Sequence, residues 1–96
     1  MPSVIWTPRS LRDLQRLHRF LGKRDAAAAR RAIKSIRDSI KLLALQPDAG
    51  RPIAEMEHGF REWVIDFGAS GYVVLYHFDG DQAAILSIRH QSEAGY

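Results

Sequence analysis

The 96-residue sequence contains no cysteine, which excludes disulfide cross-links and thiolate metal sites. Its 4 histidines are scattered, and no two of them lie at the spacing used by helical metal sites. There is no glycine-rich phosphate loop and no internal repeat. The longest apolar runs are only a few residues, so no segment is expected to span a membrane. We therefore expect a single domain, residues 1–96, without metal or cofactor.

Acidic residues are scarce in the first half of the chain. Residues 8–46 carry 11 basic and 3 acidic side chains, whereas residues 47–96 carry 3 basic and 8 acidic ones. The formal net charge of +3 thus conceals a strongly basic first half, which is suited to an anionic partner. The first residues lack the basic start and apolar core of a signal peptide, and a cytoplasmic location is expected.

Two helices are predicted after a short first strand at residues 3–6. Thr7 is a suitable N-cap before Pro8, and Gly22 is a suitable end of the first helix. Asp25 caps the second helix, which Pro47 stops. The predicted apolar face of the first helix comprises Leu11, Leu14, Leu17, His18 and Leu21. That of the second comprises Ala26, Ala29, Ile33, Ile36, Ile40 and Leu43. The short connection predicts an antiparallel helical hairpin.

The second half of the chain has the pattern of strands. Residues 60–67 alternate, residues 72–78 are apolar on both faces, and residues 82–89 follow an Asp79-Gly80 hairpin turn. The predicted fold is α+β: an N-terminal strand and an antiparallel helical hairpin packed on an antiparallel sheet that a C-terminal three-strand meander completes. Trp63 should be largely buried under the second helix. Residues 47–59 are irregular, and Arg51 is expected to tie this loop to that helix.

Cations recur at helical spacing on both helices. They form two basic stripes, which we expect to bind an anionic partner or to be solvated: Arg9, Arg12, Arg16, Arg19 and Lys23 on the first helix, and Arg30, Lys34, Arg37 and Lys41 on the second. A plain nucleic-acid-binding module is a further alternative. No aromatic residues are interleaved in the stripes, which disfavours a binder of single strands.

Several motifs occur in a characteristic order along residues 4–90. They are "PDAGRPI", an Arg61-Glu62 pair in "FREWVI", the tyrosines of "YVVLYHF" and the Arg89-His90 pair of "ILSIRH". In this order the chain resembles the RelE/ParE toxins of bacterial type II toxin–antitoxin modules. The resemblance implies neutralisation by a co-encoded antitoxin and association as a homodimer or a toxin–antitoxin heterotetramer. RelE-like members are ribosome-dependent mRNA endonucleases, and ParE-like members act on DNA gyrase.

The residues favour the ParE-like branch, with gyrase as the target and no catalytic residues. RelE-like nucleases usually carry an arginine where this chain has Val73, and the sheet half of the chain is acidic. If the protein were a nuclease, the resemblance would assign catalysis to Arg61, Arg89, His90 and Tyr96. Two other interpretations of these four residues stay open. Arg89 and His90 would close the last strand by bonding backbone or carboxylate neighbours such as Glu62, or the four residues would contact the antitoxin or the target.

Overall fold

A mixed sheet with two helices packed against one face makes up the computed structural model, which describes residues 3–68 and 70–93. In chain order the elements are β1 Ser3–Trp6, α1 Pro8–Gly22, α2 Ala26–Leu45, β2 Arg51–Pro52, β3 Phe60–Phe67, β4 Ser70–Phe78 and β5 Gln82–His90. The five strands lie in the order β1-β5-β4-β3-β2. The predicted α+β class, helical hairpin and C-terminal meander are confirmed.

The sheet is not purely antiparallel, because β1 pairs in parallel with β5, from Ser3 opposite Gln82 to Trp6 opposite Ile85. Parallel strands need a long crossover connection, and here the helices and three strands intervene between β1 and β5. The meander itself is antiparallel. A two-residue strand, β2, forms within the segment expected to be irregular and pairs with the start of β3.

Side-chain caps begin both helices, as predicted. The Thr7 hydroxyl accepts the Ser10 N–H at 3.2 Å and donates to the Ile85 carbonyl at 2.6 Å, which also anchors the start of α1 to β5. The Asp25 carboxylate accepts the first free N–H groups of α2, those of Ala27 and Ala28. Each cap satisfies donors that the helix cannot pair internally.

The buried face of α1 is rotated from the predicted one. Ser10, Leu14 and Leu17 are buried, whereas Leu11 is 44% exposed and His18 is exposed. Ser10 can face the core because its hydroxyl donates to the Thr7 carbonyl at 2.8 Å. The prediction that Leu11 and His18 face the core was therefore wrong. In α2 the buried residues are Ala29, Ala32, Ile36, Ile40 and Leu43, close to the predicted stripe.

The two faces of the sheet differ in composition. The helix-packed face contributes Ile65, Tyr72, Val74, Tyr76, Ala83, Ile85 and Ile88 to the core. Strand alternation places Glu62, Val64, Val73, Leu75, Ser87 and Arg89 on the opposite side, here called the open face. Trp63 packs against the core but is only half-buried, because β3 lies next to the two-residue β2 near the sheet edge.

Candidate partner surface and the closed edge of β5

The predicted basic stripes form an exposed surface of the helical layer. Eight of the nine cations are exposed: Arg9, Arg12, Arg19, Lys23, Arg30, Lys34, Arg37 and Lys41. Of these eight, Lys34 is the one with an ion pair among the described residues, to Asp38 at 2.6 Å. The hydrogen bond from Lys34 lowers the pKa of Asp38. The surface therefore keeps most of its positive charge available for a partner.

Arg16 is the exception in the first stripe, since its guanidinium turns toward the sheet. Its Nη1 donates to Glu93 Oε2 at 2.7 Å, and its Nη2 donates to the Ile88 carbonyl at 3.3 Å. Asp13, one helical turn earlier, lies 3.8 Å from the same guanidinium. Arg16 thus links α1 to β5 and to the segment that follows β5.

Side chains close the edge of β5 where β1 ends. β1 pairs with β5 only as far as Ile85, which would leave the second half of β5 as an open edge. The Ile88 N–H instead donates to Asp13 Oδ2 at 2.9 Å, and the Ile88 carbonyl accepts from Arg16. Further along, the His90 N–H donates to Glu93 Oε1 at 2.8 Å. α1 and the segment after β5 therefore substitute for a missing neighbouring strand.

The side chains of Arg89 and His90 are held by hydrogen bonds of this end of the chain. Arg89 Nη1 donates to the carbonyls of His90, Gln91 and Glu93 at 3.3, 3.3 and 3.0 Å. The Ser92 N–H donates to His90 Nδ1 at 3.1 Å, and Ser92 Oγ lies 2.7 Å from the same nitrogen. His90 Nε2 lies 2.8 Å from Ser70 Oγ.

Arg61 lies on the helix-packed side of the sheet, opposite Tyr76 in register. Its Nη1 donates to the carbonyls of Asp48 and Gly50 at 2.9 and 2.7 Å, which fixes the loop after α2. Arg51, expected to tie this loop to α2, instead forms an ion pair with Glu62 on the open face. That prediction was wrong because the β2–β3 register places Arg51 directly opposite Glu62.

The structure does not bring the residues of the nuclease hypothesis together. Arg89 lies opposite Val73 on the open face, whereas Arg61 and His90 lie opposite Tyr76 and Tyr72. Tyr72 and Tyr76 are four positions apart on β4, which places Arg61 and His90 roughly 13 Å apart along the strand. The fourth, Tyr96, lies outside the described residues. The His90 backbone N–H donates to the Glu93 carboxylate.

Sequence reasoning missed two residues that close this edge, namely Asp13 and Glu93. Asp13 offered a signal, because it is the single acidic residue of α1 and lies three positions before Arg16. Glu93 offered no signal, because its role depends on the position of α1 against β5.

Neither a membrane span nor a metal cluster is found in the described chain. No helix within residues 3–68 and 70–93 is long and apolar enough to cross a membrane. The same residues contain no group of three or more histidine, cysteine, aspartate or glutamate side chains that could hold a metal ion.

The chain is similar in sequence to toxins of toxin–antitoxin systems. Residues 4–95 match the family described as "ParE toxin of type II toxin-antitoxin system, parDE". The chain is 41% identical to Toxin RelE3 of Caulobacter vibrioides over 93 residues, which are 97% of this chain and 98% of that protein. Toxin RelE1 of the same bacterium is 32% identical over 91 residues, 95% of each chain. The structure titled "Chromosomal ParDE TA system from P. aeruginosa" shares the fold, with a TM-score of 0.78 at 22% identity, over 94% of this chain and 96% of that one.

The match to a toxin family thus covers nearly the whole chain, and the fold is shared with a solved toxin–antitoxin system. The chain belongs to the ParE/RelE family of such toxins. Membership implies a cognate antitoxin as partner.

Proposed function

We propose that this toxin inhibits DNA gyrase and does not cleave mRNA. The observation that carries the proposal is the separation of Arg61, Arg89 and His90 within the sheet. The names of its relatives include both ParE and RelE, so the choice of target depends on the residues of this chain.

Cleavage of RNA through its 2′-hydroxyl requires an acid, a base and cations around one phosphate. Each group must lie within hydrogen-bond reach of the reacting atoms, at about 2.6–3.2 Å. Arg61 and Arg89 lie on opposite faces of the sheet, and Arg61 donates to two loop carbonyls. In His90 the Nδ1 lone pair accepts a backbone N–H. This arrangement supports a structural role for these residues.

Val73 adds a second argument from the open face. It stands where RelE-like nucleases usually carry an arginine, and its side chain is only 6% exposed. Its neighbour on the same face, Leu75, is also 6% exposed. The centre of the open face therefore supplies an apolar surface where a nuclease would place a cation for the scissile phosphate.

Two parallel assays of the purified toxin test the proposal. We expect gyrase-dependent breaks in supercoiled plasmid DNA, or inhibited supercoiling, and intact mRNA on translating ribosomes. Cleaved mRNA with unaffected gyrase would overturn the proposal.

Induced expression of His90→Gln and Ser70→Ala gives a matched test of the nuclease alternative. Both substitutions remove the present Ser70–His90 contact, but only His90→Gln removes the titratable ring. We expect growth arrest from both variants. A nuclease that uses His90 would lose activity by a factor of about 100 or more in His90→Gln alone.

We further propose that the two basic stripes bind an acidic, amphipathic segment of the antitoxin. The support is the exposure of eight cations of which one has an ion pair within residues 3–68 and 70–93. Association as a homodimer or a toxin–antitoxin heterotetramer stays a prediction, as does the contribution of Tyr96 to the contact with antitoxin or target.

A further inference from the structure

A cavity of about 570 Å³ opens between the C-terminal half of α1 and the end of the sheet at which β4 begins and β5 ends. Its apolar lining comprises Leu17, Phe20 and Leu21 of α1 and Tyr72 of β4. We propose that this cavity receives a large apolar side chain of an acidic antitoxin segment. The inference rests on the proposed contact between the basic stripes and the antitoxin, and it adds the place at which that segment is anchored.

The apolar side chains that a partner can reach in this cavity are those of Phe20 and Leu21. Leu17 and Tyr72 are buried, so they form the back of the cavity, whereas Phe20 is 59% exposed and Leu21 is half-buried. The cavity volume lies within the range of ligand pockets, about 300–1,000 Å³. There is therefore room for a bulky side chain against an apolar wall.

Phe20 differs from an isolated exposed apolar residue because a cavity and a cation adjoin it. The Arg24 guanidinium carbon lies 5.5 Å from the centre of the Phe20 ring, which is the distance of a cation–π contact. Scattered apolar residues on a surface need no explanation, but aromatic residues beside pockets are frequent anchors of protein interfaces. A partner side chain in the cavity would remove the exposed part of the ring from water.

The charges beside the cavity favour an acidic partner. Arg19 and Lys23 of the first stripe flank Phe20 in sequence, and both are exposed without an ion pair among residues 3–68 and 70–93. Arg16 and Glu93 also line the cavity, but they pair with each other at 2.7 Å. An acidic segment that follows the first stripe would thus bring an apolar side chain to the cavity.

Like charge disfavours a second copy of the toxin as the occupant. Residues 8–46 carry 11 basic and 3 acidic side chains, a balance of +8. Two such hairpins would repel each other if one α1 docked on the other. An amphipathic segment with acidic residues matches both the apolar wall and the positive surroundings.

Dissociation of the complex between the whole toxin and its cognate antitoxin tests the anchor. Phe20→Ala removes the aromatic wall, and Leu42→Ala is the matched control, because Leu42 is 63% exposed on α2 and does not line the cavity. We expect the dissociation rate to rise about ten-fold or more in Phe20→Ala and to stay within about two-fold in Leu42→Ala. Thermal melting should show both variants close to the wild type, since exposed side chains contribute little packing.

Nuclear Overhauser contacts in the wild-type complex locate the antitoxin side chain directly. We expect contacts from one large apolar side chain of the antitoxin to the methyl groups of Leu17 and Leu21. Their absence, or an equal rise of the dissociation rate in Phe20→Ala and Leu42→Ala, would overturn the proposal. Self-association of the toxin alone that Phe20→Ala abolishes would assign the cavity to a second copy and would also overturn it.

Kinetics at several salt concentrations separate this anchor from the basic stripes. Apolar contacts are not screened, so the effect of Phe20→Ala on dissociation should persist between about 0.01 M and 0.1 M salt. If Arg12→Glu/Arg19→Glu slows association while Phe20→Ala dissociates like the wild type, the stripes bind the antitoxin and the cavity does not anchor it. The reverse result supports the cavity and contradicts the proposed role of the stripes.

Discussion

At the scale of single residues, Tyr76 connects the sheet to the loop after α2. Its ring is fully buried, and its hydroxyl donates to the Pro47 carbonyl at 2.8 Å while accepting the Gly50 N–H at 2.9 Å. A Cβ on Gly50 would lie 2.6 Å from Tyr76 Cε1, so this position requires glycine. Arg61 holds the same loop through the Asp48 and Gly50 carbonyls, so Tyr76 and Arg61 form a small network around Gly50.

Replacing Tyr76 with phenylalanine should destabilise the toxin. The substitution keeps the ring but leaves the Gly50 N–H and the Pro47 carbonyl without this partner, a loss of about 1–3 kcal/mol. For a domain of this size, each kcal/mol corresponds to a fall in melting temperature of roughly 4–8 °C. Calorimetry measures the fall. A Tyr76→Phe variant that melts like the wild type would show that the hydroxyl bonds add nothing.

Two buried tyrosines should make the toxin sensitive to alkali. Burial raises the pKa of Tyr72 and Tyr76 above the ordinary value of 10.0. The folded chain therefore holds these protons more tightly than the unfolded chain, so stability is complete below about pH 10 and falls as pH rises through the raised pKa. Urea melts from pH 8 to 11 should show this fall. A smaller fall in Tyr72→Phe is expected, and an identical one would contradict the assignment to Tyr72.

Sequence reasoning assigned the loop after α2 to Arg51, whereas Arg61 is the arginine that holds it. Arg51 lies in the segment after α2 and Arg61 lies at the start of β3, so by sequence either arginine could have held the loop. The choice depends on strand register, which places Arg51 opposite Glu62 and turns Arg61 toward the Asp48 and Gly50 carbonyls. Local patterns predict the strands, but they do not predict which of two arginines ten positions apart will face the loop.

At the scale of elements, α1 has two functions that lie on different faces. One face packs Leu14 and Leu17 into the core, and the adjoining side presents Asp13 and Arg16 to the free edge of β5. An uncovered strand edge invites pairing with another strand, so this closure protects the second half of β5 from such pairing. It also explains why Arg16, predicted to belong to the partner surface, is partly withdrawn from it.

Asp13→Ala should loosen the β5 edge. The substitution leaves the Ile88 N–H without its acceptor, which should destabilise the fold by about 1–3 kcal/mol. Asp13→Asn is the matched control, because its amide oxygen can still accept the Ile88 N–H. This variant should lose less stability than Asp13→Ala. Chemical denaturation measures both, and amide hydrogen exchange at Ile88 reports the edge directly. Equal stability of all three proteins would show that the edge is closed without Asp13.

The helices were better predicted than their contacts. Caps, lengths and the stripe of α2 follow from local signals at Thr7, Asp25 and Pro47. The buried face of α1 did not follow from local signals. Leu11 fits the leucine period, but the buried position belongs to Ser10, whose hydroxyl is hydrogen-bonded within its own helix turn. The parallel pairing of β1 with β5 likewise had no local signal, since the two strands lie about 80 positions apart in the chain.

At the scale of the whole molecule, the division of charge along the sequence becomes a division between layers. The basic residues 8–46 comprise the helical hairpin, and the acidic residues 47–96 comprise the loop and the meander. An approaching antitoxin segment with acidic side chains would be attracted to the helical layer and repelled by the acidic loop and meander. Charge of this kind acts mainly on the rate and orientation of association.

Reversing two stripe charges, in Arg12→Glu/Arg19→Glu, should slow association with the antitoxin. The matched control is Arg24→Glu/Arg31→Glu, which changes the net charge equally with exposed residues outside the stripes, one in the turn between the helices and one in α2. We expect a stripe effect of about ten-fold or more on the association rate at low salt, with a smaller effect in the control.

Stopped-flow measurements over a range of salt should show the difference shrinking as the screening length falls from about 30 Å at 0.01 M to 10 Å at 0.1 M. Arg16 is left unchanged in both variants because its bonds to Glu93 and Ile88 would add a loss of stability to any loss of charge. If both pairs slow association equally, the helical layer acts only through its total charge. The stripes would then be solvated faces rather than the contact surface for the antitoxin.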